Sequence, residues 1–309
     1  MQPGEPVSQW MSEMRRGDWE AAWRICDRFC RERRGLEPRD PRTGEWLPRH
    51  LQWIWDGTAL TGKRVLVRCY HGLGDTIQFI RFIPLLKRRA THVTVSGQAK
   101  LLPLLETVAG IDALLPLDDG PCEIQRDADV EIMELPHALR VTLATLPNTV
   151  PYIHIDAGGG ASEHRTRPRV GLVWQSGSWN SRRSVPPGLM EKLTQIKPIQ
   201  FSLLQRGPGL ESWSGAGCEM PPIRDIRAEA VELSSLDLLV CVDTLSAHLA
   251  GALGVPTWLL LPAQADWRWM EDREDSPWYP SMRLFRQSRV GDWESVIARV
   301  GRELRQRFG

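Results

Sequence analysis

The chain carries no Cys-x-x-Cys pair, no excess of charge of either sign, and no apolar run approaching the length of a membrane span. Each absence removes a class. Its six cysteines (Cys26, Cys30, Cys69, Cys122, Cys218 and Cys241) are scattered, which argues against a zinc site or a disulfide framework and for reduced thiols. Cys69 and Cys241 sit inside apolar strand-like runs, where a thiol packs as a small hydrophobe. A net charge of +1 leaves no basic field to hold nucleic acid. The start lacks the basic-then-apolar pattern of a secretion signal. The expected location is therefore the cytoplasm, with the inner face of the cytoplasmic membrane as a second address. Arg299, Arg302, Arg305 and Arg307 read as one solvated helix face, or as a peripheral contact with an anionic membrane surface.

What is present is 309 residues with 42% apolar content, enough for two α/β domains with separate cores. The most informative stretch runs from Arg64 to Asp75. Val65, Leu66 and Val67 form a short apolar run that ends at the Gly72-Leu73-Gly74 turn, and a helical pattern starts at Asp75. This is a strand–turn–helix unit of a nucleotide-type domain, with a carboxylate at the tip where ligands bind. A dinucleotide fingerprint needs a third small residue, and that position is Ile77. The second strand, from His92 to Ser96, also ends without an acid to hold a ribose. NAD is thereby disfavoured, and no cofactor is expected.

Four segments follow from the pattern. Residues 1–62 form a helical extension and connector. Trp10, Met14, Trp19, Trp23 and Phe29 carry the helical spacing, broken at Gly17-Asp18, with Asp18 a cap candidate. The phrase from Gly17 to Trp23 resembles half a tetratricopeptide unit, too little for a superhelical array. Residues 63–158 alternate strand and helix as a first Rossmann-like domain, and 159–290 repeat the alternation as a second. Strands are expected at 64–70, 92–96, 112–116, 129–133, 169–174, 199–204, 237–242 and 256–261, with another extended piece near 152–155. The glycines between Ala157 and Ala161 make the hinge, which puts a functional cleft between the domains. Residues 291–309 are a last helix from Asp292, packing back on the first domain.

Three places carry candidate chemistry. Asp75 is either a helix cap or a general base, and an amide-bonded carboxylate is a poorer base. The run from Leu239 through Asp243-Thr244-Leu245-Ser246 to His248 ends a strand and opens a helix, so free amides and the positive end of the helix dipole suit a diphosphate. Thr244 and Ser246 add hydroxyls, and His248 lies within reach of the same anion; the plainer reading makes Asp243 the cap and His248 a packed histidine. The loop Trp174-Gln175-Ser176-Gly177 through Arg183 can wrap phosphates with its amides, and Arg183 can supply a fixed charge. Asp127-Ala128-Asp129 spells a metal-binding pattern, but neither a histidine nor a third carboxylate accompanies it, and no metal is expected. The Trp-rich segment 266–280 covers a hydrophobic edge or stacks on a sugar or base.

The Gly-Leu-Gly-Asp turn at 72–75, the strand and loop at 170–184, and the Val-Asp-Thr…His…Ala-Leu-Gly run at 242–254 together resemble glycosyltransferase family nine, which contains the ADP-heptose:lipopolysaccharide heptosyltransferases. The resemblance extends over residues 60–300 and is stronger still to bacterial relatives fused to tetratricopeptide repeats. It implies a GT-B fold, with an acceptor-side first domain, a donor-binding second domain and inverting transfer without metal. It makes Asp75 the base, with Gly72 and Gly74 forming the turn beside it. Ser176, Gly177, Arg183, Gln205, Asp243, Thr244, Ser246 and His248 become donor-binding residues. Arg183 stands where the heptosyltransferases carry a lysine, and after Gln205 the family's nucleotide-facing acid has only Glu211 to match it. The implied partners are a nucleotide sugar, ADP-heptose first among them, and a saccharide or protein acceptor. Self-assembly into a homo-oligomer and peripheral membrane contact stay open. The rival reading is a catalytically inactive GT-B-like binding domain.

Overall fold

The computed structural model describes residues 5–33, 39–40, 42–45, 55, 58–118, 124–155, 166–177 and 181–309. The chain divides into two compact units, Met1–Pro147 and Asn148–Gly309. The division falls before the expected 158/159 boundary. Tyr152 donates its backbone N–H to the Ala252 carbonyl at 3.0 Å, and Ile153 is fully buried, so the extended piece near 152–155 belongs with the second unit and is not a strand. The glycine hinge at 157–161 lies outside the described residues.

In the first unit, β1 (Arg64–Arg68), β2 (His92–Gly97), β3 (Ala113–Pro116) and β4 (Ala128–Glu131) form one parallel sheet in the order β3-β2-β1-β4. Val65, Leu66 and Val67 are all buried although they alternate between faces, as a central parallel strand covered on both sides requires. The helical stretch expected after Asp75 is divided: a helix at Leu73–Phe79, a tight turn at Ile80–Phe82, and a second helix at Ile83–Lys87 with Pro84 in its first turn. Proline is tolerated there because that N–H has no partner within the helix.

The N-terminal helices Glu5–Arg16 and Trp19–Arg33 pack on this sheet domain through polar as well as apolar contacts. Asp18 accepts the Ala21 N–H at 2.9 Å and so caps the second helix. The Trp23 indole donates to the Val141 carbonyl at 2.7 Å, and Asp27 meets His137 at 2.8 Å and Arg140 at 2.7 Å. Trp55, from the connector, is buried edge-on against His137, with ring centroids 5.3 Å apart.

The second unit holds β5 (Arg169–Val173), β6 (Gln200–Leu203), β7 (Leu238–Val242), β8 (Thr257–Leu261) and β9 (Met282–Arg286), all parallel, in the order β6-β5-β7-β8-β9. β9 has no counterpart among the expected strands. Its Met282-Arg283-Leu284-Phe285-Arg286 places two arginines in an edge position, where they pass for loop. The last helix, Trp293–Phe308, opens as expected with Asp292 accepting the Ser295 N–H at 3.1 Å. Its stripe of Trp293, Val296, Ile297, Val300 and Leu304 is buried in the second unit's core beside Met190, Leu193 and Phe285. That helix therefore completes the core of the second unit.

Candidate functional site

In an open parallel sheet ligands bind at the carboxyl ends of the strands, where the strand order reverses direction. Each unit has one such point. In the second unit the chain runs from β5 outward to β6 and returns on the other side as β7, so the point lies past Val173 and Val242.

Asp243 follows β7 directly and is 6% exposed. Its Oδ2 accepts from Arg183 Nη1 at 3.3 Å, and its Oδ1 lies 3.6 Å from His248 Nε2. Burial pushes its carboxyl up, but the bond and charge of His248 and the charge of Arg183 outweigh that and hold it at about 2. Asp243 is thus an ionised, buried hinge between two cationic or polar groups. It does not cap the following helix, Leu245–Leu253: that position falls to Thr244, half-buried and extended, whose side chain makes no cap bond. The Thr244 hydroxyl donates to the Val242 carbonyl at 3.3 Å.

His248 is 5% exposed. Its Nδ1 lies 3.0 Å from the Tyr279 hydroxyl, and its ring stacks on Trp269 with centroids 5.6 Å apart. Gly251, one turn along the same helix, lets this happen, because a Cβ there would come within 2.4 Å of the Tyr279 ring. The Trp-rich segment is accordingly a wall behind His248: Trp267, Trp269, Trp278 and Tyr279 are all buried, and none offers a face to a ligand.

Two expected donor contacts are committed elsewhere. Ser246 donates its hydroxyl to Glu229 Oε1 at 2.5 Å, and Glu229 is also paired with Arg206. Burial raises the Glu229 carboxyl against the bond from Ser246 and the charge of Arg206. Gln205 Oε1 accepts the N–H groups of Trp174 at 3.0 Å and Gln175 at 2.8 Å, so it shapes the loop leaving β5. Ser176 is buried, with its N–H on the Ser184 hydroxyl at 3.2 Å, and Gly177 is exposed. Residues 178–180 lie outside the described residues. Glu211 is exposed on the short helix Pro208–Glu211, whereas Glu229 meets Ser246 at the start of the helix that follows β7.

In the first unit the reversal lies between β1 and β4. Asp75 is at the third position of its helix, and its Oδ2 accepts the Gly72 N–H at 3.0 Å. It is therefore the return partner of a helix cap and not the cap itself, which is Gly72. Gly72 suits the place, since a Cβ there would lie 3.1 Å from that same oxygen. Gly74 sits in the first turn of the helix.

Beside this turn the sequence reading missed two acids. Glu131, at the end of β4, is 3% exposed, and burial, with the charges of Glu134 and Asp75, raises its carboxyl to about 8 against the pull of the Met133 and Tyr70 amide dipoles. Burial likewise raises Glu134 to about 7. The only visible signal was the acidic character of the 129–134 stretch. The Asp127–Asp129 pair has structural partners: Asp129 forks onto Arg68 at 2.7 Å and Arg126 at 3.0 Å, and Asp127 accepts the Arg64 N–H at 2.8 Å. No described helix is long and apolar enough to cross a membrane.

No protein-family model matches the chain. Protein FlbA of Caulobacter vibrioides is 26% identical over 81% of this chain and 48% of its own length, so the chain spans about half of the curated relative it matches. Among solved structures, a glycosyl transferase of family 9 from Veillonella parvula superposes with a TM-score of 0.59 at 13% identity, covering 81% of this chain and 98% of that one. The E. coli ADP-heptose lipopolysaccharide heptosyltransferase II gives 0.59 at 14% identity, over 79% and 98%. The chain thus has the fold of the family-nine, GT-B-type glycosyltransferases.

Proposed function

We propose that the chain is an inverting, metal-independent glycosyltransferase that moves a sugar from a nucleotide-diphosphate donor to a saccharide or protein hydroxyl. ADP-heptose is the leading donor. The observation that carries this reading is the end of β7: a helix start with no side-chain cap, next to Arg183 fixed on a buried, ionised Asp243. Backbone amides at a helix start, the Thr244 hydroxyl and a guanidinium are a donor set for a diphosphate, and they stabilise the charge that builds on it as it leaves. The likeness in fold to enzymes whose names include ADP-heptose supports the choice of donor.

In this reading Asp75 takes the proton of the acceptor hydroxyl. The resulting oxygen forms its bond to the anomeric carbon from the face opposite the diphosphate, and the carbon–oxygen bond to the diphosphate breaks. His248 is walled in by Tyr279 and Trp269, so its part is to keep Asp243 ionised and oriented. Gln205 and Ser246 shape the loops and do not touch the donor.

The test uses the whole chain. Calorimetry with ADP, UDP, GDP and CDP should show one clear preference, ADP being expected. Incubation with the matching nucleotide sugars should add one sugar mass to a saccharide or protein acceptor, in EDTA as well as without it. A chain that binds none of the four nucleotides and transfers nothing is a binding domain, and the reading fails. Transfer abolished by EDTA and restored by a divalent ion overturns the metal-independent part alone.

A further inference from the structure

Arg206 lies just past β6, the strand beside β5, and has no task in the transfer just described. Its side chain is 45% exposed, whereas that of Glu229, the carboxylate it pairs with, is 3% exposed. The other oxygen of Glu229 accepts the Ser246 hydroxyl at 2.5 Å, and Ser246 lies in the first turn of the helix Leu245–Leu253. One buried carboxyl group thus separates this arginine from the helix start to which the proposed function assigns the diphosphate. The Arg206 backbone is tied to the neighbouring loop as well. Gln205 donates from Nε2 to the Arg206 carbonyl at 3.0 Å and accepts the Trp174 and Gln175 N–H groups on Oε1. Gly209 keeps the loops after β5 and β6 close, since a Cβ there would collide with the Gln175 side chain. Among the described residues the guanidinium bonds only Glu229, so it is aimed by a buried partner and keeps further N–H groups to offer.

A nucleotide whose diphosphate rests on that helix start can extend over β8 or over β5 and β6. The β8 side is closed. Trp269 stacks on His248, and Arg286, the last residue of β9, donates from Nη2 to the carbonyls of Trp269 at 2.9 Å and Met270 at 2.7 Å. Those bonds tie the Trp-rich segment to the end of β9, and its aromatic rings are buried there. On the other side Gln175 is half-buried, and Gly177 and Arg206 are exposed. The open direction therefore runs over β5 and β6, past Arg206.

We propose that Arg206 binds the ribose of the donor nucleotide, and that Glu229 is the positioning residue that aims it. A guanidinium carries donors only, so it pairs with oxygen acceptors, and its planar fork can hold two of them at once. The adjacent 2′- and 3′-oxygens of a ribose form such a pair. This leaves the diphosphate to Arg183 and the helix start, and it rests on the reading of that end of the sheet as a nucleotide-diphosphate site.

Calorimetry of the full chain with ADP, 2′-deoxy-ADP and inorganic pyrophosphate tests the assignment. Arg206→Lys keeps a cation for Glu229, so the variant should melt together with the wild-type chain. It should bind ADP roughly 3–10-fold more weakly, as expected for one lost hydrogen bond to a neutral group, and pyrophosphate as well as before. The wild-type chain should prefer ADP to 2′-deoxy-ADP, and Arg206→Lys should narrow that preference. Glu229→Gln still accepts the Ser246 hydroxyl; it should weaken ADP by a smaller factor and leave pyrophosphate unchanged. If UDP, GDP or CDP is the nucleotide this chain prefers, it takes the place of ADP with its own 2′-deoxy form. Unchanged nucleotide affinity in Arg206→Lys overturns the proposal. An equal loss of nucleotide and pyrophosphate also overturns it, because the guanidinium would then sit on the diphosphate. Both results leave the transferase reading standing. A wild-type chain that binds neither pyrophosphate nor any of the four nucleotides removes that reading and the ribose contact together.

Discussion

The substitution Asp75→Asn isolates the proposed base from its structural duty. Asp75 Oδ2 accepts the Gly72 N–H at 3.0 Å and so secures the start of the helix Leu73–Phe79. Asparagine keeps a carbonyl oxygen at that point, so the helix start survives, but its amide cannot take a proton from a hydroxyl at neutral pH. Loss of general-base assistance costs about 10²–10⁴-fold in turnover, or roughly 2.7–5.5 kcal/mol of barrier. Asp75→Ala should lose the same turnover and, with the capping bond gone, a further ~0.5–2 kcal/mol of stability. Donor affinity, which the proposed function assigns to the second unit, should be unchanged in both. Single-turnover transfer read by mass spectrometry, with calorimetry of ADP beside it, measures the two quantities separately. Asp75→Asn turning over within about threefold of wild type, far inside the range for a lost base, would refute the assignment. An equal loss of ADP affinity would show instead that the substitution had disturbed the fold.

Arg183→Ala should weaken ADP binding by roughly 10–150-fold, the worth of one lost charge-assisted bond of ~1.5–3 kcal/mol, with Arg183→Lys between; unchanged affinity by calorimetry excludes Arg183 from the donor site. Gly251→Ala should destabilise the chain by about 1–3 kcal/mol through overpacking on Tyr279. In a Tyr279→Ala background the same change should be neutral, or stabilising by up to ~1 kcal/mol from helix propensity. Denaturant melts of the four combinations check this, and additive effects would mean that the two residues do not meet. Asp243 is depressed to about 2 when folded, against an ordinary aspartate's 3.8, so its stabilisation is present above pH ~4 and is lost as pH falls from 3.8 through 2. The stability gap between wild type and Asp243→Asn should therefore shrink over that window in acid unfolding; a constant gap contradicts the buried ion pair.

The two parallel sheets were readable because their central strands, Val65–Val67 and Leu238–Val242, are uninterrupted apolar runs followed by small or capping residues. The same local signals placed Asp75 and Thr244 at helix starts after strands, and the loop after β5 beside them in the pattern. What stayed hidden depends on partners far along the chain. The Ser246 hydroxyl looks available until Glu229, 17 positions earlier, is seen to take it. His248 looks like an anion ligand until Tyr279 and Trp269 close around it. β9 was missed because an edge strand need bury only part of its length, and Arg283 and Arg286 break its apolar pattern. The acids at 131 and 134 resemble any solvated pair in sequence; only burial makes them unusual.

The Glu134 side chain carries a consequence for any shortened form of this protein. A single oxygen, Oε2, takes the amide hydrogen of Trp55 at 3.0 Å and that of Glu131 at 3.1 Å. One belongs to the connector from the N-terminal hairpin, the other to the end of β4. A truncated chain beginning after residue 57 would strip one donor from a carboxylate sunk in protein, remove Asp27 from His137 and Arg140, and uncover the groove that holds the Trp23 indole. The leading helices are therefore a wall of the first unit, and a piece of this chain that lacks them should be less stable than the whole.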